Sequence, residues 1–401
     1  MRRIILSKKI MILGASILQL PAIIKAKELG YYVISVDFDA DAIGFKYSDV
    51  KCIISTVDEN KVLELVKKYK PDGIMTLSSD QPVKTIAYIN NKLGIKNCLS
   101  YDDALCATNK DLMRQRFLEK KVPVPKFEIA RSKDSYYKKV SEFEFPVIIK
   151  AADNSGSRGI SLVNSKEDIK FAYEHSLLNS PKRIVLIEEY MKGPEVSVEL
   201  FAKDGKTTLI AITDKITTGA PNFVELGHSI PSNLSNKEKI EIEKVAISAS
   251  KAIGIKNGPA HVEIIMTQNG AKIVEIGARL GGDSITSYLV PMAKKFDMVE
   301  ATIKNVLNEQ YEIKTSDIGG SAIRFITSLS FGVIKSIQGV DLASEIDGVK
   351  LINFNKKIGD TVQVVKSSSD RIGYIIAKGN TSTEAIDACN KALSKIVIEI
   401  I

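Results

Sequence analysis

The chain contains no tryptophan, and aromatic residues make up only 6% of its 401 positions. Proteins that grip single-stranded nucleic acid stack bases on aromatic side chains, so this poverty argues against such a platform. Four cysteines are present (Cys52, Cys98, Cys106, Cys389) with no C-x-x-C spacing, which suggests neither a zinc site nor a disulfide framework. Apolar runs are short. None reaches the roughly eighteen residues of a membrane span, and those at Ile4 to Leu6 and Ile10 to Leu13 are too brief for a signal-peptide core. Reducing cytoplasm is the expected compartment. A basic block is missing too: net charge is +8, but lysines come as scattered doublets such as Lys67-Lys68 and Lys294-Lys295. That pattern reads as a solvated surface with some attraction for anionic substrates, not as a nucleic-acid site. What is there is ordinary globular material, 44% hydrophobic and 26% charged, enough for roughly two to four domains.

Lys9 to Leu13 reads as a buried strand. Gly14-Ala-Ser16 turns it into a helix ending near Gly30, and Tyr31 to Val36 is a second strand ending at Asp37. This βαβ unit lacks the glycine fingerprint of a dinucleotide fold, because only Gly14 fits. Further strands at Cys52 to Ser55 and Gly73 to Thr76 alternate with helices, giving a parallel α/β domain to about residue 100. Ser78-Ser79-Asp80-Gln81 lies where such sheets meet ligands, although helix capping is the plainer role. Pro123 and Pro125 enforce extended chain, suited to a hinge.

Phe145 to Lys150 reads as a strand, followed by Ala-Ala-Asp-Asn-Ser-Gly156-Ser157-Arg158-Gly159 and a second strand, Ile160 to Val163. Such a loop can aim backbone N–H groups at a phosphate, with Lys150 adding charge, or it is a simple hairpin turn. The lysine precedes the glycines, so it is no Walker A loop. Arg183 to Glu188 is another strand. In Glu195 to Leu200, alternation puts Glu195, Ser197 and Glu199 on one face and Val196, Val198 and Leu200 in the core; the acidic face is either functional or half-exposed. Thr217 to Ser232, which contains His228, reads as a long polar loop. Ser235-x-x-Glu238 opens a helix that stops at Gly254.

His261 to Asp283 carries the densest chemistry: two strands around Asn269-Gly270, then Arg279-Leu-Gly-Gly-Asp283. A two-residue Asn-Gly loop would put Glu263 and Glu275 on opposite faces of the hairpin. A three-residue loop, opposing Thr267 to Ala271, would set the two glutamates directly across from each other. Like charges so placed call for a cation between them, and two carboxylates are the usual protein share of a Mg²⁺ site. Without such a cation the segment is a polar surface hairpin. His261 shares the face of Glu263 and reads as a hydrogen-bonded structural histidine. His228 is a substrate-contact candidate or loop polarity, and His175 is helix surface. Arg324, in an apolar strand, suits either a substrate carboxylate or a structural ion pair. From Ile318 onward the chain reads as a compact α+β segment.

Lys110, Lys150 before Gly156-Ser-Arg-Gly159, Glu188-Glu-Tyr-Met191, Gly193-Pro-Glu195, Glu263 and Glu275-Ile-Gly-Ala-Arg279 follow one another in an order that resembles ATP-grasp enzymes. The carboxylate–amine ligases are nearest in style, and the C-terminal segment resembles that of L-amino-acid ligases. The resemblance implies an α/β and α+β chain: a pre-ATP-grasp domain (1–107), a lid subdomain (108–190), a large subdomain with the metal site (191–316) and a C-terminal segment (317–401). It implies ATP and Mg²⁺, with Mn²⁺ as substitute, small carboxylate and amine substrates, and a homodimer; nucleic acid and membrane are not expected partners. By position, Lys110 and Lys150 would contact phosphates and Gly156, Ser157, Arg158 and Gly159 would fold over them. Glu188 and the backbone around Glu189 and Met191 would bracket adenine, and Glu195 would bind ribose. Glu263 and Glu275 would hold metal, and Arg279 would steady an acyl-phosphate. One departure stands out: Gly277 occupies a position that is usually Asn in the family, which favours one metal over two. Rival expectations are a formate- or bicarbonate-activating enzyme and a nucleotide-binding regulator without catalysis.

Overall fold

The computed structural model describes residues 7–95, 98–154 and 159–401. Its first layer is the parallel sheet foreseen in the sequence. Strands β1 (Lys9–Leu13), β2 (Tyr32–Asp37), β3 (Val50–Ile53) and β4 (Gly73–Met75) lie in the order β3-β2-β1-β4. Ile10 to Leu13 are all buried, as expected for a strand covered on both faces. Helices α1 (Leu20–Glu28), α2 (Glu59–Tyr69) and α3 (Gln81–Lys92) supply the cover, and Asp58 caps α2 through the Lys61 N–H.

Two short helices, α4 (Tyr101–Thr108) and α5 (Lys110–Glu119), lead to a small antiparallel sheet. It comprises β5 (Phe127–Ala130), β6 (Val147–Ala151), β7 (Ile160–Val163) and β8 (Val185–Glu189) in the order β5-β8-β6-β7, with α6 (Lys133–Val140) and α7 (Ile169–Leu178). Val147, Ile149, Val185 and Ile187 pack with Tyr136 of α6 and Ala172 of α7 in one cluster.

The largest layer is an eight-stranded sheet. Its first members are β9 (Glu195–Lys203), β10 (Lys206–Thr217), β11 (Glu225–Ile230), β12 (Gly258–Thr267) and β13 (Gly270–Gly277). Helix α8 (Asn236–Ile253) packs on the face made by Val196, Val198, Val262 and Ile264. Both bonds of its capping box form, and Gly254 ends it with φ +83°. After a wide turn at Ile285–Leu289 come α9 (Val290–Lys294) and α10 (Met298–Val306), then β14 (Gly320–Ile326), β15 (Gly332–Gln338), α11 (Val340–Ser344), β16 (Val349–Phe354), β17 (Thr361–Val362), β18 (Gly373–Gly379), α12 (Ser382–Leu393) and β19 (Val397–Ile400). The sheet order is β13-β12-β9-β10-β11-β14-β18-β16, and β17-β15-β19 form a separate small sheet.

One expectation changes here. The stretch expected to be a loop from Thr217 to Ser232 contains β11, held by β10 on one side and by β14 on the other. A strand whose partner lies about a hundred residues away leaves little local signal, so tertiary pairing overrides polar composition. In the C-terminal α+β segment, β14, β18 and β16 extend the central sheet from β11 outward.

Candidate active site on the central sheet

The hairpin β12–β13 decides the site's geometry. Of the two loop lengths considered its turn has the shorter, one residue earlier than Asn269-Gly270: Thr267 pairs directly with Gly270, leaving Gln268 and Asn269 as a two-residue turn. Continued regularly, that register would set Glu263 opposite Val274 and send Glu275 to the other face. A β-bulge at Val274 adds one residue, and beyond it Glu263 pairs with Glu275. The two glutamates therefore share a face, by a route the turn alone does not provide.

Cross-strand pairing carries that face along the sheet. Glu263 is opposite Ser197, Ser197 opposite Thr213, Lys215 opposite His228, and His261 opposite both Glu199 and Gly277. Half-exposure, the alternative reading of the acidic face of β9, holds only at Glu195; Ser197 and Glu199 are buried, Glu199 against Gly281 of the Arg279–Asp283 strap. Glu199 Oε1 lies 2.6 Å from His261 Nδ1. Burial works against the imidazolium, but Glu199 raises the His261 pKa to about 9. Glu199 Oε2, Ser197 Oγ and Thr213 Oγ1 are buried without hydrogen-bond partners among the described residues.

Lys215 is the residue that sequence reasoning missed. Its Nζ is 2.8 Å from Glu195, 3.2 Å from Glu263 and 3.5 Å from Glu225. Burial disfavours its charge, yet the three carboxylates hold it protonated, its pKa well above the usual lysine value. In return, burial pushes Glu263 up but Lys215 and His261 hold it well below the usual carboxylate range. No motif marks Lys215; only its alternation with Thr213 on β10 could have placed it. The other glutamate is matched by Lys110, whose Nζ sits 2.8 Å from Glu275 Oε2 and 2.9 Å from the Asn154 carbonyl. Carboxylate oxygens opposed on one face, with unpartnered polar atoms beside them, suit a hard, oxygen-seeking cation such as Mg²⁺.

Lys150 and Glu188 meet, but as a buried pair. Lys150 Nζ is 2.7 Å from Glu188 Oε2, and Arg114 Nε is 2.6 Å from Glu188 Oε1. Burial alone would raise the Glu188 pKa; Arg114 and Lys150 bring it down to about 2. Both carboxylate oxygens are thus engaged by cations of the chain itself, and at the hinge the Glu189 and Tyr190 N–H groups donate to the Lys126 and Pro146 carbonyls. Glu189 itself is paired with Lys272 of the hairpin. Gly159 turns with φ +76° and packs on Asn179; Gly156, Ser157 and Arg158 lie outside the described residues.

Arg279 does not stand alone. Its guanidinium forks onto Asp80, which caps no helix with its side chain, contrary to the plainer expectation for Ser78 to Gln81. A Cβ on Gly277 would meet Asp80 Oδ1 at 2.9 Å and Arg279 Cζ at 3.1 Å. The ion pair fills the space a side chain at 277 would need, which gives the departure at that position a physical reason. At the far end of the strap, Asp283 accepts from Arg371 at 3.0 and 3.1 Å, and its Oδ2 lies 3.2 Å from His228 Nε2. Arg371 also stacks 3.9 Å from the Phe325 ring centroid.

Arg324 is on the other side. It pairs with Gly227 while its neighbour Ile323 pairs with His228, so Arg324 faces away from the carboxylates. It donates to the carbonyls of Ile323 and His228 and has no acidic partner among the described residues. Neither role expected for it is realised on the site face.

Residues 143–287 match the ATP-grasp domain family, and residues 324–400 match the L-amino acid ligase C-terminal domain 2. The chain is 23% identical to a formate-dependent phosphoribosylglycinamide formyltransferase of Saccharolobus solfataricus, over 98% of both chains. It is 22% identical to an L-arginine-specific L-amino acid ligase of Bacillus subtilis, over 78% of this chain and 76% of that one. Among solved structures, the L-amino acid ligase of Bacillus licheniformis superposes with TM-score 0.86 at 18% identity, covering 98% of this chain and 99% of that one. The bulged glutamate hairpin and the small sheet with its buried lysine thus belong to a chain that carries an ATP-grasp domain over residues 143–287 and a C-terminal domain of the L-amino acid ligase kind over residues 324–400.

Proposed function

We propose that the protein is an ADP-forming ligase that activates a carboxylate with ATP as an acyl-phosphate and joins it to an amine, with an amino acid on at least one side. The observation that carries this reading is Glu263 directly opposite Glu275 on one sheet face, with Lys110 and Lys215 against them. Attack of a carboxylate on a γ-phosphate brings anions together, so positioning and charge neutralisation are what the protein must supply. Glu263 and Glu275 would hold Mg²⁺, which supplies charge neutralisation at the phosphates when bound. Lys110 and Lys150 contribute fixed positive charge on the lid side. The backbone from Glu189 to Met191 offers hydrogen bonds to a base, and Glu195, at the start of β9, offers an acceptor to ribose. Arg279, oriented by Asp80, presents a planar cation for the acyl-phosphate. The lid sheet keeps water from that intermediate. His228, held by Asp283, is a contact for the incoming amine.

The match at 324–400 favours an amino-acid substrate. Similarity to a formate-dependent formyltransferase along 98% of both chains favours a second reading, formate activation. The test is phosphate release screened over pairs of amino acids and over formate, with hydroxylamine to trap the acyl-phosphate. Amino-acid-dependent release that Glu275→Ala abolishes is the expected result; release with formate alone selects the second reading. Binding of ATP and Mg²⁺ without ADP formation in any amino-acid mixture would refute the ligase.

A further inference from the structure

Arg114 is wholly buried, and no described motif demands it. It lies one helical turn after Lys110 on α5, so the two side chains leave the helix on the same face. They land on consecutive residues of β13. Lys110 Nζ meets the Glu275 carboxylate at 2.8 Å, and Arg114 Nη2 donates to the Val274 carbonyl at 2.6 Å. Val274 is the bulge residue, the one insertion that turns Glu275 to the face of Glu263. From the same guanidinium, Nε holds Glu188, whose second oxygen holds Lys150 of the lid sheet.

We infer that Arg114 is a positioning residue: its planar fork pins the Val274 bulge, and with it the opposed geometry of Glu263 and Glu275, to the Glu188–Lys150 pair of the lid. The inference deepens the ligase reading and rests on it for the role of the two glutamates. A bulge is a local kink that leaves a residue outside the ladder, and a bulge carbonyl without a donor would be free to relax into the regular register. That register separates the glutamates. A lysine at 114 keeps the charge beside Glu188 but reaches one acceptor, not two. Nη1 has no partner among the described residues; the fork is held by two of its three arms.

The experiment uses the full chain and Mn²⁺ as the probe, with free Mn²⁺ read by electron paramagnetic resonance in the presence of ADP. Arg114→Lys is expected to melt cooperatively and to bind ADP without metal as the unaltered chain does. It should bind Mn²⁺ roughly 10- to 100-fold more weakly, the usual effect of losing a group that orients a metal ligand. Deleting Val274 in that variant should restore Mn²⁺ affinity, because the two-residue turn then opposes Glu263 to Glu275 without a bulge. A folded Arg114→Lys chain with unaltered Mn²⁺ affinity overturns the inference. So does a folded double variant that does not recover, and this second test stands even if Arg114→Lys alone does not fold. Phosphate release by the unaltered chain tests the ligase reading by itself, so the two failures are told apart.

Discussion

Arg279 and Asp80 join across 199 residues of sequence, Nε to Oδ1 at 2.8 Å and Nη2 to Oδ2 at 3.1 Å. The pair ties the first domain to the strand end that carries Glu275. It also sits in the room left by Gly277.

Asp80→Asn should therefore weaken the reaction without weakening the nucleotide. With its partner neutralised, Arg279 is free to swing, and a misplacement of about 1 Å is enough to lower kcat about 100-fold. ADP affinity, measured by calorimetry, should stay near that of the unaltered chain. Equal losses in both would show that Asp80 serves the fold alone.

Lys215→Met should leave Glu195, Glu225 and Glu263 facing one another with only His261, 3.7 Å from Glu263, as a neighbouring cation. Removing one partner from a buried charged cluster costs about 3–5 kcal/mol. Added Mg²⁺ should raise the melting temperature of this variant more than that of the unaltered chain, because the ion takes over part of the neutralisation. A variant indifferent to Mg²⁺ would separate Lys215 from the metal glutamate.

The acid limb of stability should report Glu188. Its folded pKa, about 2, lies below the ordinary value of 4.5. The carboxylate's contribution is full above the unfolded value and drains away as pH falls from about 4.5 towards about 2. Glu188→Gln should flatten that limb in urea melts between pH 5 and pH 2, and should lower stability at pH 7 by about 3–5 kcal/mol by stranding Arg114 and Lys150. An unchanged slope would place the acid sensitivity in other carboxylates.

Gly281→Ala tests the strap over the buried histidine. The added methyl would meet Glu199 Oε1 and His261 Nδ1, each at 2.7 Å. Overpacking of this kind costs about 1–3 kcal/mol and should displace the imidazole beside Glu263. The expected outcome is a modest fall in melting temperature with a larger fall in phosphate release. A variant with unaltered turnover would mean that the strap yields freely.

How much of this was legible beforehand varies with the range of the signal. The parallel first sheet was readable because short apolar runs such as Ile10 to Leu13 alternate with helical stretches. The face shared by Glu195, Ser197 and Glu199 followed from alternation. Bringing Glu263 opposite Glu275 was anticipated through the wrong device: a bulge five residues from the turn leaves no composition signature, since Val274 looks like any strand valine. Lys215 and Arg114 were silent for a different reason, as was the pairing of Asp80 with Arg279. Each is defined by a partner on another element, so its sequence neighbours say nothing of it. β11 escaped because its pairing partner β14 begins at Gly320, far beyond any window.

The joining of β11 to β14 has a consequence for how such a chain can be divided. A protein ended just before Gly320 would leave the edge of β11 bare along Gly227 to Ile230, a row of open N–H and C=O groups that invites intermolecular stacking. The final eighty or so residues are thus no detachable cassette. Recombining them with a foreign grasp module would have to re-create the seam strand for strand, and altering what the enzyme accepts is more readily done by exchanging single side chains.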